Sequence, residues 1–227
     1  MTARDGQLPV SDIFFSIQGE GVHAGLPAVF LRLSYCNLTC VWCDSKFTWQ
    51  SPVEADWTTP ADLIARLAKY PSRRLVLTGG EPLLWQKPLV QFLESPAFDS
   101  VEVETNGTMV PTSEFDACVA LYHVSPKLAN SGVPPDKRIV PPALRWFSGS
   151  PKAIFKYVVT DLRDLEEVRA QVKRFKIPPS RVLIMPEAAL RDGLLARFDA
   201  VAEAARDAGF GITDRLHLRL WDSTRAV

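Results

Sequence analysis

Short apolar runs alternate along the chain with longer amphipathic stretches. The apolar or β-branched runs predict strands near residues 29–35, 74–78, 101–105, 121–125, 153–159, 181–185 and 215–220. The amphipathic stretches predict helices at residues 59–70, 161–175 and 187–209. Thr59 is placed as the N-cap of the first helix and Pro60 in its first turn, while Gly209 ends the last one. Strands that alternate with helices are typical of parallel βαβ units, so the pattern predicts an α/β sheet or barrel.

The chain is predicted to form a single domain over residues 1–227. Its length and its 47% of hydrophobic residues suffice for one sizeable core. The proline-rich segment 131–151 is interpreted as a long surface loop and not as a linker between domains, because the alternation of strands and helices resumes after it. The sequence contains no internal repeat and no low-complexity tract.

The charge balance argues against some classes of partner. Lys and Arg together number 26, as do Asp and Glu, so the formal net charge is zero. This gives no electrostatic basis for bulk binding to nucleic acid or to a membrane surface. No apolar run is long enough to span a bilayer, and the first ten residues lack the hydrophobic core of a signal peptide. We therefore expect a soluble cytoplasmic protein, in which cysteines stay reduced.

Three cysteines, Cys36, Cys40 and Cys43, lie within a window of eight residues. In a reducing compartment this clustering favours a metal or catalytic site over a disulfide framework. A structural zinc site usually takes four ligands, whereas three thiolates on a four-iron cluster leave one iron free to bind a small molecule. A zinc site completed by a remote residue such as His23 or His217 is the alternative.

Each unusual polar cluster directly follows a predicted strand. These clusters are the cysteine loop, "GGEP" at 79–82, "NG" at 106–107, "PK" at 126–127 and "PE" at 186–187. In parallel α/β sheets and barrels, ligands bind at the edge formed by the carboxyl ends of the strands. We therefore expect these clusters to face one cavity. In the second cluster, Gly79 and Gly80 would let the backbone approach a ligand closely.

The spacing C-x3-C-x2-C, with the aromatic Trp42 before the last cysteine, is similar to the signature of radical S-adenosylmethionine (SAM) enzymes. This resemblance implies a [4Fe–4S] cluster on Cys36, Cys40 and Cys43, whose open iron binds the amine and carboxylate of SAM. One-electron cleavage of SAM then gives a 5′-deoxyadenosyl radical that can attack a strong C–H bond. The implied fold is an abbreviated, partly open parallel β/α barrel with fewer than eight units.

Further stretches resemble one family of these enzymes, the 7-carboxy-7-deazaguanine synthases of queuosine and deazapurine biosynthesis. The matching stretches are "IFFSIQGEGVHAGLPAVFLRLSYC" (13–36), "CDSKFTW" (43–49), "TGGEP" (78–82), "ETNG" (104–107), "SPK" (125–127), "MPEA" (185–188) and "LHLRLWDSTRAV" (216–227). The resemblance implies a lyase that converts 6-carboxy-5,6,7,8-tetrahydropterin to 7-carboxy-7-deazaguanine with loss of ammonia. It also implies a Mg²⁺ ion, a homodimer, and a flavodoxin or ferredoxin as reductant. Residues 13–35 would bind the pterin, and residues 36–49 would form the cluster loop.

The resemblance assigns individual residues to four roles. The cluster would be held by Cys36, Cys40 and Cys43, and Mg²⁺ by Ser45. The substrate would be bound by Ile17, Gln18, Gly19, Glu20, Arg32 and Thr78. SAM would be bound by Trp42, Gly80, Glu81, Glu104, Asn106, Ser125, Pro126, Lys127, Met185, Pro186, Glu187 and Ala188. In physical terms, Gln18 and Glu20 offer an amide and a carboxylate to the edge of a pterin, although "QGEG" alone would indicate a simple turn.

The sequence does not assign a single role to several residues. Asp44 either assists the Mg²⁺ ion or caps the loop, and Lys156 has no assignment. His217 is interpreted as a core or edge histidine, and Cys118, on the apolar face of "EFDACVAL", as a structural cysteine. The role of segment 131–151 and the contacts of the tail 221–227 with metal or substrate stay open.

Two other functions fit part of the pattern. A glycyl-radical-type activase shares the cysteine spacing and a similar length, but it would need a large protein partner and would have no pterin site. A zinc-stapled, non-enzymatic binding protein would need only the cysteines and a fourth ligand. Iron and acid-labile sulfide in anaerobically prepared protein would separate the zinc protein from the enzymes.

Overall fold

The computed structural model describes residues 6–53 and 55–225 of the chain. Their strands are β1 Leu8–Ile17, β2 Pro27–Leu33, β3 Asp56–Thr58, β4 Arg74–Gly79, β5 Ser100–Thr105, β6 Leu121–Val124, β7 Ala153–Val159, β8 Val182–Pro186 and β9 Gly211–Ile212. Their helices are α1 Pro60–Leu67, α2 Gln86–Leu93, α3 Ser113–Cys118, α4 Pro135–Arg138, α5 Pro141–Gly149, α6 Asp164–Phe175, α7 Arg191–Asp207 and α8 Leu216–Trp221. Residues 226–227 of the predicted tail lie outside the described residues.

The sheet is open and mostly parallel. Its strands follow the order β3-β1-β2-β4-β5-β6-β7-β8-β9, so β3 and β9 are its edges. Each neighbouring pair from β2 to β9 is parallel, whereas β1 pairs antiparallel with both β2 and β3. Helices lie in the crossovers between consecutive parallel strands. The prediction of a partly open β/α arrangement with fewer than eight units is confirmed.

The two faces of the sheet differ in chemistry. Side chains alternate along a strand, and on β7 Phe155 and Tyr157 join the large apolar core that includes the helices. Lys156 lies between them in sequence, so its side chain is on the other face, where it is also buried. On β5, Val103 is in the core, while Glu102 and Glu104 belong to the opposite face. A buried polar layer therefore lies on the side of the sheet that faces away from the core helices.

Six of the seven predicted strands are confirmed, with ends that differ by two residues or fewer. The seventh, at 215–220, is wrong because Leu216–Trp221 forms helix α8. Alternating leucines predicted the strand, but Leu220 is 45% exposed and Leu218 is the buried residue of this helix. The backbone N–H of Leu216 donates to the carbonyl of Gly19 at 2.8 Å, which directs the chain across the cavity and away from the sheet.

The segment 131–151 is not the long surface loop that its prolines predicted. It contains the short helices α4 and α5, whose first residues are Pro135 and Pro141. Proline is tolerated there because the first N–H groups of a helix have no partner within the helix. Helix α5 buries three apolar side chains, Ala143, Leu144 and Phe147. The segment is therefore part of the packed crossover between β6 and β7.

The predicted helices are present with adjusted ends. Helix α1 has the predicted cap, since the Thr59 side chain accepts a hydrogen bond from the N–H of Asp62 at 3.2 Å. Helix α6 begins at Asp164 and α7 at Arg191, three and four residues later than predicted. Gly209 follows α7 with a φ of +74°, as expected for the residue that ends a helix. The sequence had not assigned β1, β3, β9, α2 or α3. No helix of residues 6–53 and 55–225 is long and apolar enough to cross a membrane.

Candidate active site

A cavity of about 540 Å³ opens at the carboxyl edge of the parallel strands. It is lined by the cysteine loop, by residues at the ends of β1, β4, β5, β6 and β8, and by residues between 215 and 225. The predicted site residues that line it are Ile17, Gln18, Gly19, Glu20, Arg32, Cys36, Cys40, Trp42, Cys43, Ser45, Thr78, Gly80, Glu104, Asn106, Ser125, Lys127, Met185, Glu187 and Ala188. Glu81, Pro126 and Pro186 do not line it. The structure thus brings the strand-end clusters to one cavity.

The three clustered cysteines lie on one wall of this cavity. None is in a disulfide, and all three pack against the small apolar group formed by Leu38 and Val133. Hydrogen-bond donors point at two of the sulfurs. The N–H of Leu38 lies 3.4 Å from Cys36 Sγ, and Trp49 Nε1 lies 3.3 Å from Cys43 Sγ. Such donors to sulfur are among the features that tune an iron–sulfur cluster.

The environment of the sulfurs fits a group that brings positive charge. Burial, followed by the charge of Glu81, raises the pKa of the Cys36 thiol to about 12. Burial also raises the pKa of Cys40. These thiols bind a metal as thiolates, so binding must release their protons, and iron supplies the charge that compensates for it. The donor set and the thiol chemistry therefore fit a cluster held by Cys36, Cys40 and Cys43.

The other residues considered as ligands are engaged elsewhere. Cys118 lies at the end of α3 and lines a separate cavity of about 250 Å³ with Leu93 and Phe98. His23 Nδ1 lies 2.8 Å from Glu102 Oε1. His217 lines the active-site cavity, where its Nε2 is 4.0 Å from Glu20 Oε1. In the described part of the chain, no group of three or more His, Cys, Asp or Glu side chains is arranged to hold a single metal ion.

The two glycines of "TGGEP" let two stretches of backbone meet. A Cβ atom on Gly79 would overlap the backbone of Leu33, and one on Gly80 would overlap the carbonyl of Tyr35. The N–H groups of Gly80 and Glu81 donate to the carbonyls of Leu33 and Tyr35, both at 2.9 Å. These glycines therefore allow a close approach to the start of the cysteine loop, which the sequence had not predicted. It fixes the residue directly before Cys36.

We expect Gly80→Ala to destabilise the fold by about 1–3 kcal/mol, the usual cost of overpacking, and to loosen the cysteine loop. The measurement is chemical denaturation of the reconstituted protein together with its iron content. Gly149→Ala is the matched control, because a Cβ atom on Gly149 would meet nothing within 4 Å. Equal stability and equal iron content in the two variants would contradict the proposed role of Gly80.

Glu81 is a buried carboxylate that does not line the cavity but holds residues that do. It accepts hydrogen bonds from the N–H of Leu83 at 3.0 Å, from Thr105 Oγ1 at 2.8 Å and from the N–H of Asn106 at 2.7 Å. Burial raises its pKa, although these donors act in the opposite direction. Because its oxygens are occupied, Glu81 positions Asn106, whose Nδ2 lies 3.9 Å from Cys36 Sγ.

Trp42 and Lys127 form a polar and aromatic corner beside the cysteines. Lys127 Nζ donates to Ser125 Oγ at 2.8 Å and lies 5.4 Å from the centre of the Trp42 ring. Trp42 Nε1 donates to Asn130 Oδ1 at 3.2 Å, which fixes the indole plane. A cation held near an aromatic ring within reach of the cavity can bind the carboxylate of a ligand.

A buried charge network forms another part of the cavity lining. Lys156 Nζ lies 2.6 Å from Glu20 Oε2 and 2.7 Å from Glu104 Oε2. Arg215 Nε lies 3.1 Å from Glu20 Oε1, and Arg215 also contacts Asp44 and the carbonyl of Ala188. The sequence assigned no role to Lys156. Its position between apolar residues of β7 could have marked it as a buried charge. Arg215 was missed because it lies in no recognisable motif and was assigned to a strand.

The network keeps its members charged. Burial alone would raise the pKa of Glu20, but the charges of Lys156 and Arg215 outweigh it and lower the pKa to about 2. The same balance of burial against Lys156 and His123 lowers the pKa of Glu104. The two carboxylates raise the pKa of Lys156 although its burial opposes this. The cavity wall therefore carries charged side chains at neutral pH.

Arg32 and Ser45 meet near the middle of the cavity. Arg32 donates to Ser45 Oγ at 3.0 Å, and Ser45 Oγ donates to Asp44 Oδ1 at 3.0 Å. The guanidinium of Arg32 lies 5.7 Å from the ring centre of Phe14 and 5.9 Å from that of Phe47. Arg32 Nε is buried, makes no hydrogen bond to the described residues and lies 3.5 Å from Asp12 Oδ2 in an ion pair. The guanidinium lines the cavity, where an anionic ligand can reach it.

Comparison with known proteins first gives the class. Residues 17–110 match the model of a 4Fe-4S single cluster domain. The crystal structure of Streptococcus suis SuiB bound to S-adenosylmethionine has a similar fold, with a TM-score of 0.51 and 15% identity over 78% of this chain and 44% of that chain. The matched iron–sulfur domain contains the three clustered cysteines, and the fold is of the radical SAM type.

The family follows from relatives that match along the whole length. The 7-carboxy-7-deazaguanine synthase of Pyrobaculum aerophilum is 40% identical over 95% of this chain and 96% of its own. That of Halobacterium salinarum is 35% identical over 95% and 91%. The crystal structure of QueE from Escherichia coli matches with a TM-score of 0.72 and 25% identity, over 95% of this chain and 100% of that chain. This chain belongs to the 7-carboxy-7-deazaguanine synthase family. Neither the activase nor the zinc-stapled protein is favoured by these relatives.

Proposed function

We propose that this protein catalyses the ring contraction of 6-carboxy-5,6,7,8-tetrahydropterin to 7-carboxy-7-deazaguanine with release of ammonia, as a radical SAM lyase. The observation that carries the proposal is the 40% identity to a 7-carboxy-7-deazaguanine synthase over nearly the whole of both chains. The cavity adds chemical support, because it combines the three cysteines with a buried arginine donor and with an amide and a carboxylate at Gln18 and Glu20.

Cys36, Cys40 and Cys43 would hold the [4Fe–4S] cluster, which supplies the electron that cleaves SAM. The SAM molecule would lie between the cysteine loop and the ends of β5, β6 and β8. Lys127, fixed by Ser125, would bind its carboxylate, and the Asn106 side chain would contact its polar end. The remaining SAM contacts would come from the cavity-lining residues Trp42, Gly80, Glu104, Met185, Glu187 and Ala188, whereas Pro126 and Pro186 lie outside the lining. For Glu81 we propose indirect support through Asn106.

The pterin would lie between the charge network and Arg32. Gln18 and Glu20 would pair with the donor and acceptor edge of the ring, and Ile17, Gly19 and Thr78 would line it. Arg32 lines the cavity and would bind the substrate carboxylate, since a guanidinium pairs well with a carboxylate. Burial of Arg32 between two aromatic rings strengthens this pairing, because water is excluded from it.

A Mg²⁺ ion would bind at Ser45, completed by the substrate carboxylate and by water, because Mg²⁺ prefers charged oxygen ligands and keeps several waters. Asp44 is near enough to take part, since its Oδ1 lies 3.0 Å from Ser45 Oγ. The proposal also includes a homodimer, a flavodoxin or ferredoxin as electron donor, and a cytoplasmic location.

We expect Ser45→Ala to raise the Mg²⁺ concentration for half-maximal product formation by roughly ten-fold, the lower range for loss of a metal-site partner. A Mg²⁺ titration of product formation measures this effect. Ser45→Thr is the control, because it keeps the hydroxyl and should keep the wild-type response. If Ser45→Ala and wild type gave the same titration curve, the assignment of Ser45 to Mg²⁺ would be wrong.

The test of the whole proposal is an anaerobic assay of reconstituted protein with SAM, a reductant, Mg²⁺ and 6-carboxytetrahydropterin, read by mass spectrometry. Formation of 7-carboxy-7-deazaguanine is the expected result. If 5′-deoxyadenosine formed without this product, the radical chemistry would stand and the substrate would be wrong. If neither formed although the cluster was intact, the function itself would be wrong.

A further inference from the structure

A column of polar side chains leads from the cavity into the interior of the sheet. At its upper end, Glu104 lines the cavity, and its Oε1 lies 2.8 Å from Nδ1 of His123. At its lower end, Glu102 Oε1 lies 2.8 Å from Nδ1 of His23, whose side chain is 35% exposed. Glu102 and His123 are both 0% exposed. The column thus joins the active-site cavity to the outside of the protein except for one step, between His123 and Glu102.

The two atoms at this step are both buried polar atoms. Glu102 Oε2 and His123 Nε2 have no hydrogen-bond partner in the part of the chain that the structure describes. Nδ1 of His123 contacts Glu104 Oε1, so Nε2 is the ring nitrogen that is left for another partner. The other oxygen of Glu102 is used by Arg74 and His23.

Both atoms lie beside the same turn, Gly21–His23. A Cβ atom on Gly21 would come within 2.7 Å of His123 Nε2, and His23 of the same turn contacts Glu102. Gly21 has a φ of +76° and no side chain, so the imidazole packs directly against the turn. One water molecule, which donates and accepts hydrogen bonds, can satisfy both buried atoms.

We propose that a buried water bridges His123 Nε2 and Glu102 Oε2, and that the resulting chain from His23 to Glu104 delivers a proton to the active site. This role rests on the proposed function. Ring contraction releases ammonia, which leaves as ammonium, so each turnover takes up one proton from solvent. The proton enters at His23, passes through Glu102 and the water to His123 Nε2, and the Nδ1 hydrogen moves through Glu104 to the leaving nitrogen. Each proton transfer breaks one N–H or O–H bond and forms another on the next group of the chain, and nothing is oxidised or reduced.

The water is tested directly by a high-resolution crystal structure of the reconstituted protein. We expect one solvent peak within hydrogen-bond distance of both His123 Nε2 and Glu102 Oε2. A dry gap, or a direct bond between the two side chains, would overturn the bridging water. This result does not depend on the substrate, so it separates the inference from the proposed function.

The proton route is tested by His23→Ala and by His23→Gln, which keeps a polar group in the turn. We expect both to reduce turnover by about ten-fold or more, in the range of lost acid–base groups. Added imidazole should restore most of the turnover of His23→Ala, because this site is open to solvent. The same imidazole should not rescue His123→Gln, because position 123 is fully buried.

Val22→Ala, at an exposed position of the same turn, is the control and should keep wild-type turnover. Wild-type turnover in His23→Ala, or a loss that imidazole does not restore, would overturn the route and leave the column a purely structural network. If the wild-type protein formed no 7-carboxy-7-deazaguanine, the proposed function would fail, and with it the proton delivery, while the crystal structure would still decide the water.

Discussion

Cys40→Ala is expected to leave a folded protein that cannot retain its cluster and forms no product. With three cysteines on one wall, removal of one leaves two ligands for a group that needs three from the protein. We expect product formation to fall by more than about 100-fold, beyond the upper range for loss of an outer-shell partner. Iron and acid-labile sulfide per chain, measured after anaerobic reconstitution, should fall in parallel.

Cys118→Ala is the matched control for this prediction. Cys118 lies in a different cavity, and its sulfur donates to the carbonyl of Glu114 at 3.4 Å within α3. Its loss should change neither the iron content nor the product. A Cys40→Ala protein with full iron content and wild-type turnover would show that the cluster is held in another way.

Lys156→Met is expected to lower the free energy of unfolding by about 3–5 kcal/mol, the usual cost of removing one partner from a buried ion pair. The substitution removes the cation but keeps most of the volume. Glu20 and Glu104 would then share a buried site with their main counter-charge gone, so one of them must be protonated or move. Chemical denaturation at neutral pH measures the loss.

The same variant should respond differently to acid. The pKa of Glu20 falls from 4.5 to about 2 on folding, so its ionised form stabilises the native state above about pH 4.5, and this contribution is lost as the pH falls towards 2. In Lys156→Met the acid-induced loss of stability should therefore be smaller. Lys152→Met is the control, because the Lys152–Asp116 pair at 3.3 Å is about one-third exposed and should contribute 1 kcal/mol or less. Similar losses in both lysine variants would refute the role of Lys156.

The sequence predicted the parallel strands well because each is a compact apolar run, and their polar ends share one edge of the sheet. It failed where local pattern and tertiary position disagree. The leucines at 216, 218 and 220 alternate as in a strand, but only Leu218 is buried. The prolines of 131–151 indicated a loop because proline interrupts helices, whereas here two of them begin helices.

The candidate site was predictable only where a local pattern marks it. The cysteines, Trp42 and Arg32 belong to recognisable stretches, and all of them line the cavity. Arg215 does not, because its importance comes from contacts with residues that are distant in the sequence. Lys156 could be noticed as a charge within an apolar strand, but its partners Glu20 and Glu104 become neighbours only in the folded sheet.

The crossing of the chain near Leu216 has a consequence for access to the cavity. The N–H of Gly21 donates to Thr213 Oγ1 at 2.7 Å, and Arg225 pairs with Asp12 at 2.7 and 2.8 Å. The partners in these contacts are 192 and 213 positions apart in the sequence. Separation of these distant segments would expose the cavity to solvent although no cysteine had changed.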